Sequence, residues 1–284
     1  MNPNEPEMRE LRTDRGVLRY REAGEGPPLV LLHGSGPGVT GWRNFSGNLP
    51  ALAQHFRTFI LELPGFGVSD EFGAPHPIVS AQAALVAFLD GLNLDRVRLL
   101  GNSMGGFVAM DFAAAFPDRV ERLVTVGGAG ASLLAPTPGE GIVRLCEFVE
   151  DPTRERLVAW LNSMVFDKSL ITEQMIDDRW EQATDPDTLA SARQMYGLTA
   201  LQGIEARFRD PEAVAGLSSL CRVQAPTLVT WGRDDRVSPL DMALLPLRLL
   251  PKGELHVFPD CGHWVMIEQK AAFESAVIAF LLRD

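Results

Sequence analysis

The sequence predicts an α/β protein with a mostly parallel central sheet, helices on both faces, and a helical segment inserted between core strands. Short runs of branched apolar residues recur along the chain, and helix-like stretches lie between them. Runs that are apolar nearly throughout are typical of parallel strands covered on both faces. Strands that alternate with helices indicate a parallel sheet, which leaves the long purely helical stretch as an insertion.

The predicted elements begin with an antiparallel hairpin at the sheet edge, because LRTDRGVLRYREAG alternates between apolar and polar residues. Buried strands are predicted at residues 28–33, 58–63, 96–101, 122–128, 227–232 and 254–258. Helices are predicted for VSAQAALVAFLDGLN, MGGFVAMDFAAAFP and EQKAAFESAVIAFLL. These elements together account for the core of the fold.

A long helical stretch runs from about Pro136 to Leu217 and includes RERLVAWLNSMVF and ITEQMIDDRWEQA. It contains no strand-like run, so we interpret it as a cap or lid between two core strands. The predicted division is a core of residues 1–135 and 218–284 with a helical lid of residues 136–217. Met164 and Phe166 in this stretch predict an apolar substrate pocket under the lid.

Composition narrows the range of partners. The chain has 284 residues, is 46% hydrophobic and carries a formal net charge of -11. That acidic balance disfavours nucleic acid and anionic membranes as partners. The first residues lack an apolar signal core, and no apolar run reaches the roughly 18 residues that a membrane helix needs, so a soluble cytoplasmic protein is expected.

The three cysteines, Cys146, Cys221 and Cys261, are expected to be reduced thiols, because they are odd in number and far apart. Cys261 and His263 are close in sequence, but no second pair of ligands accompanies them. No metal site is therefore predicted.

A candidate nucleophile lies in RVRLLGNSMGGFVAM, where a predicted strand turns directly into a predicted helix. Its G-x-S-x-G pattern would hold Ser103 on a strained bend above the sheet, and only small neighbours permit such a close backbone approach. Because a serine hydroxyl needs a base and an orienting acid, the chain must also supply both.

His263 is the candidate base, since it follows a predicted strand in the loop PDCGHWVMIE, at the carboxyl edge where sites of open α/β sheets form. His55, His76 and His256 are interpreted as surface or packing residues. The acid is expected after the strand TLVTWG, in RDDRVSPLD, where Asp234 and Asp235 are both candidates.

The loop HGSGPG, residues 33–38, follows an early strand and can present backbone N–H groups to an oxyanion. We assign the oxyanion hole to the N–H groups of Ser35 and Met104. No G-K-[ST] follows this loop, so it is not predicted to be a phosphate-binding loop, and neither a nucleotide nor a nicotinamide cofactor is expected.

Taken together, these motifs resemble the α/β-hydrolase superfamily and, within it, the meta-cleavage-product hydrolases that cut carbon–carbon bonds in aromatic and steroid degradation. The resemblance covers most of the chain: HGSGPG with GWRN, then GNSMGG, WGRDDRVSPLD and CGHWVMIE. It implies the α/β-hydrolase fold and Asp235 as the acid. The substrate-binding positions that it implies are Gly36, Asn44, Asn102, Arg179 and Trp264.

Arg179 is carried over from the lid motif FDKSLITEQMIDDRW, and a shift of that match along the lid would select Arg193 instead. On a helix Arg179 shares a face with Met175 and Ile176, so it is predicted to point inward, where a charge needs an anion. A ligand carboxylate is one candidate partner, and Asp177 or Asp178 at the surface is the alternative.

The function that the resemblance implies is cleavage of the C5–C6 bond of a 2-hydroxy-6-oxo-hexa-2,4-dienoate by Ser103, His263 and Asp235, without metal or organic cofactor. The products are 2-hydroxypenta-2,4-dienoate and a carboxylic acid. The partner is therefore a small anionic substrate, and a homodimer or larger homo-oligomer is implied. A general serine carboxylesterase and a non-catalytic ligand-binding homologue remain as alternatives.

Overall fold

A computed structural model describes residues 5–66, 68–73, 76–128, 130, 132, 134, 138–209 and 216–283. Its sheet has eight strands in the order β1-β2-β4-β3-β5-β6-β7-β8. The strands are β1 (Arg9–Thr13), β2 (Gly16–Ala23), β3 (Pro28–Leu32), β4 (Arg57–Leu61), β5 (Val97–Asn102), β6 (Val120–Val126), β7 (Thr227–Gly232) and β8 (Gly253–Phe258). The predicted α/β architecture is confirmed.

The sheet is parallel from β4 to β8 and antiparallel at one edge. β1 pairs with β2 and β2 with β4 in antiparallel register, whereas the neighbours β4, β3, β5, β6, β7 and β8 pair in parallel. The predicted edge hairpin is thus confirmed. Parallel pairing brings the carboxyl ends of β3, β5, β6, β7 and β8 to one edge, where the candidate site residues follow them.

Helices cover both faces of the sheet. They are α1 (Gly41–Phe45), α2 (Leu49–Leu52), α3 (Pro77–Gly91), α4 (Met104–Ala115), α5 (Glu140–Glu150), α6 (Arg154–Met164), α7 (Glu173–Ala183), α8 (Pro186–Tyr196), α9 (Leu198–Arg209), α10 (Leu244–Leu249), α11 (Val265–Glu268) and α12 (Lys270–Leu281). Short 3₁₀ turns span Pro117–Arg119, Lys168–Leu170, Leu217–Arg222 and Leu240–Ala243.

Two apolar cores form because side chains alternate between the faces of each strand. In β3, Val30 and Leu32 pack with residues of α3 and α4, and Leu29 and Leu31 pack with residues of α1, α2 and α12. All four side chains are fully buried. Strands apolar on both faces therefore reflect a sheet that has helices on both sides.

Helices α5 to α9 lie between β6 and β7, and we refer to them as the lid. Their apolar side chains join the core that contains α12, and Phe148 stacks on Trp160 with ring centroids 6.3 Å apart. The predicted boundary between residues 135 and 136 lies outside the described residues, and the one between 217 and 218 lies in a 3₁₀ turn. Within the described part of the chain, no helix has the length and apolar character to cross a membrane.

Candidate active site

Ser103 occupies a strained turn between β5 and α4. Its φ is +51° and its ψ is -115°, a conformation that non-glycine residues rarely adopt. The Ser103 N–H donates to Val126 O over 2.8 Å, and the Phe107 N–H donates to Ser103 O over 3.0 Å. The surrounding backbone thus holds a conformation that is costly by itself, as is common at functional sites.

Close backbone packing explains the glycines around this turn. A Cβ atom at Gly105 would lie 2.1 Å from Leu32 O, and one at Gly101 would lie 2.3 Å from Gly105 O. No side chain fits at either distance, so α4 approaches β3 and β5 only because both positions lack a Cβ. The G-x-S-x-G pattern is therefore required by the geometry of the turn.

His263 and Asp235 form a buried pair. The distance from His263 Nδ1 to Asp235 Oδ2 is 2.7 Å, and both side chains are almost fully buried. The other oxygen of Asp235 accepts hydrogen bonds from the N–H groups of Val237 and Ser238, at 2.8 and 2.9 Å. Asp234 instead forms an ion pair with Arg233. Of the two candidate aspartates, only Asp235 contacts the histidine.

Two further glycines bring the histidine near the serine, and sequence analysis did not single them out. Gly127 and Gly128 follow β6 with φ of +61° and +103°. A Cβ at Gly127 would lie 3.2 Å from His263 Cε1, and one at Gly128 would lie 2.6 Å from Ser103 O. The signal was present as a glycine pair at the carboxyl end of a buried strand.

The two predicted oxyanion donors line the same cavity as Ser103. This cavity of about 500 Å³ is bordered by Ser35, Ser103, Met104, Phe107 and Met195, among other residues. Met104 is the first residue of α4, where a backbone N–H has no acceptor within the helix. Their assignment to an oxyanion hole stays a prediction.

A buried histidine and an asparagine shape the loop that carries Ser35. Leu63 N–H donates to His33 Nε2 over 2.9 Å, so His33 Nδ1–H donates to Gly34 O at 2.7 Å. Burial lowers the pKa of His33, which keeps the ring neutral in this arrangement. Asn44 Oδ1 accepts from Gly34 N–H over 2.8 Å. The loop is thus held by groups just after β4 and on α1 before any ligand binds.

Tyr196 of α8 is a second residue that sequence analysis missed. It is buried, its hydroxyl is hydrogen-bonded to Ser35 Oγ, and it lines the cavity beside Ser103. No local pattern marked it, because the contact joins residues 161 positions apart. The lid therefore contributes directly to the wall of the candidate site.

Arg179 of α7 is buried, and no acidic partner for it lies in the part of the chain that the structure describes. Its side chain is 6% exposed, Nη1 donates to Pro37 O at 3.2 Å, and Nε has no hydrogen-bond partner. Among the described residues no carboxylate forms an ion pair with it; Asp177 pairs with Arg154. Burial, with a smaller contribution from nearby Arg43, lowers the pKa of Arg179 to about 10. An inward-facing cation of this kind is well suited to a ligand anion.

The alternative arginine has a different environment. Arg193 is exposed and donates Nε–H to Val149 O over 2.7 Å. Ile176 is buried and Met175 half-buried on the helix face that carries Arg179, as the spacing predicts. Only one of the two arginines therefore points inward.

The remaining predicted substrate contacts are buried near the HGSGPG loop and the histidine. Asn102 donates Nδ2–H to Val126 O at 3.3 Å, and a Cβ at Gly34 would lie 2.8 Å from Asn102 Oδ1. Trp264 is 5% exposed. Gly36 has φ of +128° and packs against the Trp160 ring. Their contact with a substrate stays a prediction.

The predicted apolar pocket lining is wrong for Phe166. Its side chain is 48% exposed and lies at the outer surface, where the chain leaves α6. Met164 is buried, but the apolar walls of the cavity beside Ser103 come from Ile78, Phe107 and Met195. The error arose because hydrophobicity alone does not specify which way a side chain points at the end of a helix.

Among the described residues, no cluster of three His, Cys, Asp or Glu side chains is arranged to bind a metal ion. Cys146, Cys221 and Cys261 are free thiols. The pKa of the Cys261 thiol is raised, mainly by burial, so the thiol stays protonated.

Comparison with known proteins identifies the family. The sequence model of the alpha/beta hydrolase fold family matches residues 27–270. The chain is 36% identical over 278 residues to a 2-hydroxy-6-oxo-6-phenylhexa-2,4-dienoate hydrolase of Burkholderia cepacia, with 94% of this chain and 93% of that protein covered. It is 40% identical over 276 residues to 2-hydroxy-6-oxononadienedioate/2-hydroxy-6-oxononatrienedioate hydrolase 2 of Pseudomonas putida, and that match covers 93% of this chain and 91% of the relative.

Solved structures agree with these relatives. A meta-cleavage product hydrolase from Pseudomonas fluorescens IP01 superimposes with a TM-score of 0.86 at 28% identity, and the match covers 96% of this chain and 97% of that one. A 2-hydroxy-6-oxo-6-phenylhexa-2,4-dienoate hydrolase from Rhodococcus sp. strain RHA1 superimposes with a TM-score of 0.86 at 26% identity. That match covers 98% of this chain and 99% of the other. The chain therefore belongs to the α/β-hydrolase superfamily and, within it, to the meta-cleavage product hydrolases.

Proposed function

We propose that this protein hydrolyses the C5–C6 bond of a 2-hydroxy-6-oxo-hexa-2,4-dienoate with a substituent at C6. Ser103, His263 and Asp235 are the catalytic residues in this proposal. The observation that carries it is the buried guanidinium of Arg179 on the lid, which forms no ion pair with any of the described residues and whose Nε has no hydrogen-bond partner there. An ordinary ester substrate would bring it no anion. A dienoate carboxylate bound there places its far end, which includes C6, toward Ser103.

The chemistry begins with a proton shift within the substrate. Protonation at C5, with loss of the proton from the 2-hydroxyl, converts the dienol into a keto tautomer and makes C5 a competent leaving carbon. His263 moves these protons, and Asp235 holds its Nδ1–H in the correct tautomer. The 2.7 Å contact between the two side chains supports these roles.

Bond cleavage follows at C6. The C6 carbonyl is attacked at Ser103, and its oxyanion accepts hydrogen bonds from the N–H groups of Ser35 and Met104. When the C5–C6 bond breaks, its electron pair passes through C5 into the conjugated chain, and the 2-oxygen takes up the proton that water releases, giving 2-hydroxypenta-2,4-dienoate. Water supplies the hydroxyl of the carboxylic acid that retains C6. The position of Ser35 and Met104 in the Ser103 cavity supports the assignment.

Asn44, Asn102, Trp264 and Gly36 are proposed to orient the dienoate between Arg179 and Ser103. Their support is the family resemblance together with burial of the three side chains near the HGSGPG loop. We further infer a homodimer or larger homo-oligomer from the same resemblance, to be checked by light scattering after size exclusion. The free thiols fit a reducing cytoplasmic location.

The decisive test is a spectrophotometric screen of yellow ring-cleavage products with phenyl, methyl and carboxyalkyl groups at C6, compared with p-nitrophenyl esters. The proposal requires a higher kcat/KM for at least one dienoate than for p-nitrophenyl acetate, and loss of that activity in Ser103→Ala. Efficient ester hydrolysis with no dienoate turnover would indicate a carboxylesterase instead. Binding without turnover of either substrate would indicate the non-catalytic alternative.

A further inference from the structure

The end of lid helix α6 and the residues that follow it are bonded to the histidine loop. We name residues 162–167 the brace segment. His263 N–H donates to Met164 O over 2.7 Å. A Cβ at Gly262 would lie 2.7 Å from the same oxygen and 2.9 Å from Val165 Cα, so the brace segment and the histidine loop are packed backbone to backbone. The brace segment therefore touches the candidate base through its own main chain.

Glu268 adds a second connection between the same two parts. One carboxylate oxygen accepts from Gly262 N–H at 2.8 Å, and the other accepts from Phe166 N–H at 2.6 Å and Asp167 N–H at 3.4 Å. Burial raises the pKa of Glu268 and these backbone donors oppose the rise. One side chain thus satisfies N–H groups on both sides of the junction between lid and histidine loop.

Arg236 connects the brace segment to the loop of the acid. It is the residue after Asp235, and its Nη2 donates to Asn162 O and, over 3.1 Å, to Val165 O. Its Nη1 lies 3.6 Å from Glu140 Oε2 at the beginning of α5. A guanidinium at the terminal carbonyls of a helix is favourable, because those oxygens have no partner within the helix.

We propose that the brace segment sets the relative position of His263 and Asp235, and that Glu268 and Arg236 are positioning residues for the reaction. The inference rests on the proposed roles of that pair. Both catalytic loops are bonded to the same short stretch of lid, so a shift of that stretch would move the base and the acid. Misplacement of a reacting group by about 1 Å can cost up to about a hundredfold in rate.

The test compares three variants of similar size: Arg236→Met removes the guanidinium bonds, Glu268→Gln replaces one of the two accepting oxygens by an NH2 donor, and Arg236→Lys retains a donor and the charge. The control is Glu274→Gln on α12, because Glu274 is also buried and hydrogen-bonded, to Asn48 and Lys270. Each protein is measured for melting temperature, for kcat and KM on a dienoate, for the rate of labelling by a fluorophosphonate probe, and for the downfield Nδ1 proton resonance of His263.

We expect Arg236→Met and Glu268→Gln to lower kcat and the labelling rate about tenfold or more, with little change in KM. They should also shift the His263 proton resonance, and Arg236→Lys should recover most of the rate. Glu274→Gln should lower the melting temperature and leave kcat, labelling and the resonance unchanged. If Arg236→Met does not fold, Arg236→Lys and Glu268→Gln are compared with the control by the same measures.

The inference is overturned if both variants keep full kcat and labelling. It is also overturned if Glu274→Gln loses as much kcat per degree of lowered melting temperature as Arg236→Met and Glu268→Gln do. Labelling keeps this outcome separate from the proposed function. A wild-type protein that reacts with the probe but turns over no dienoate refutes the proposed function, and the labelling rates of the variants still test the positioning role.

Discussion

The buried charge of Arg179 leads to a prediction about stability as well as activity: Arg179→Met should make the protein more stable and much less active. The methionine keeps a long unbranched stem against Trp160 and removes the guanidinium. A cation buried without a counter-ion opposes folding, since it exchanges water for a protein interior without an anion. The wild-type residue is then retained for binding and lowers the stability of the fold.

The magnitude follows from the pKa. Burial lowers the pKa of Arg179 from 12.5 to about 10, and one pKa unit corresponds to about 1.4 kcal/mol, so the charge costs about 3 kcal/mol. Loss of the hydrogen bond to Pro37 O offsets about 1 kcal/mol of that gain. A net stabilisation of about 2 kcal/mol raises the melting temperature by about 4 °C in a chain of this size.

The pH dependence has a defined sign. Between about pH 10 and 12.5 the unfolded chain still binds the proton that folded Arg179 has lost, so this residue makes stability rise with pH in that window. Below about pH 10 both states are charged and the full cost is present. Measurements at pH 7 to 8 therefore report the whole difference between wild type and Arg179→Met.

The assay combines differential scanning calorimetry with dienoate kinetics. Loss of a buried charge pair with the substrate carboxylate, worth about 3 kcal/mol, should lower kcat/KM about a hundredfold. Arg193→Met is the control and should keep dienoate kinetics near wild type, with a stability change of about 1 kcal/mol or less. A lower melting temperature for Arg179→Met would mean that an anion already balances the charge of the guanidinium in the folded protein. Unchanged kinetics would remove the carboxylate anchor.

Further predictions concern the proposed catalytic residues and the strained turn. Ser103→Ala should fold normally and lose at least about a thousandfold in kcat; near-normal turnover in the folded variant would exclude serine from the mechanism. Asp235→Asn should cost about 10⁴ in kcat and Asp234→Asn much less, and equal losses in steady-state kinetics would contradict the pairing with the histidine. Trp264→Ala should impair dienoate hydrolysis more than hydrolysis of a small ester, whereas comparable losses at an unchanged melting temperature would indicate a packing role. Gly105→Ala should destabilise the fold by about 3 kcal/mol or more in urea unfolding, because the added methyl meets a β3 carbonyl at 2.1 Å; an unchanged midpoint would show that α4 can move away.

Local sequence patterns predicted the fold and the strained turn that carries Ser103. The apolar runs predicted the parallel strands because burial on both faces leaves no polar position in a strand. The turn at Ser103 was predictable because its glycines, its positive φ and the change from strand to helix all lie within a few residues. Conformational requirements of this kind act between near neighbours in the chain, so the chain expresses them locally.

Contacts between distant residues were decided only by the tertiary structure. Whether Asp234 or Asp235 meets His263 depends on how the β7 and β8 loops face each other, 28 positions apart. The inward direction of Arg179 depends on a loop 142 positions away, and the exposure of Phe166 on where α6 ends. A helical pattern specifies which residues share a face, but the element that covers that face is determined by packing of the whole chain.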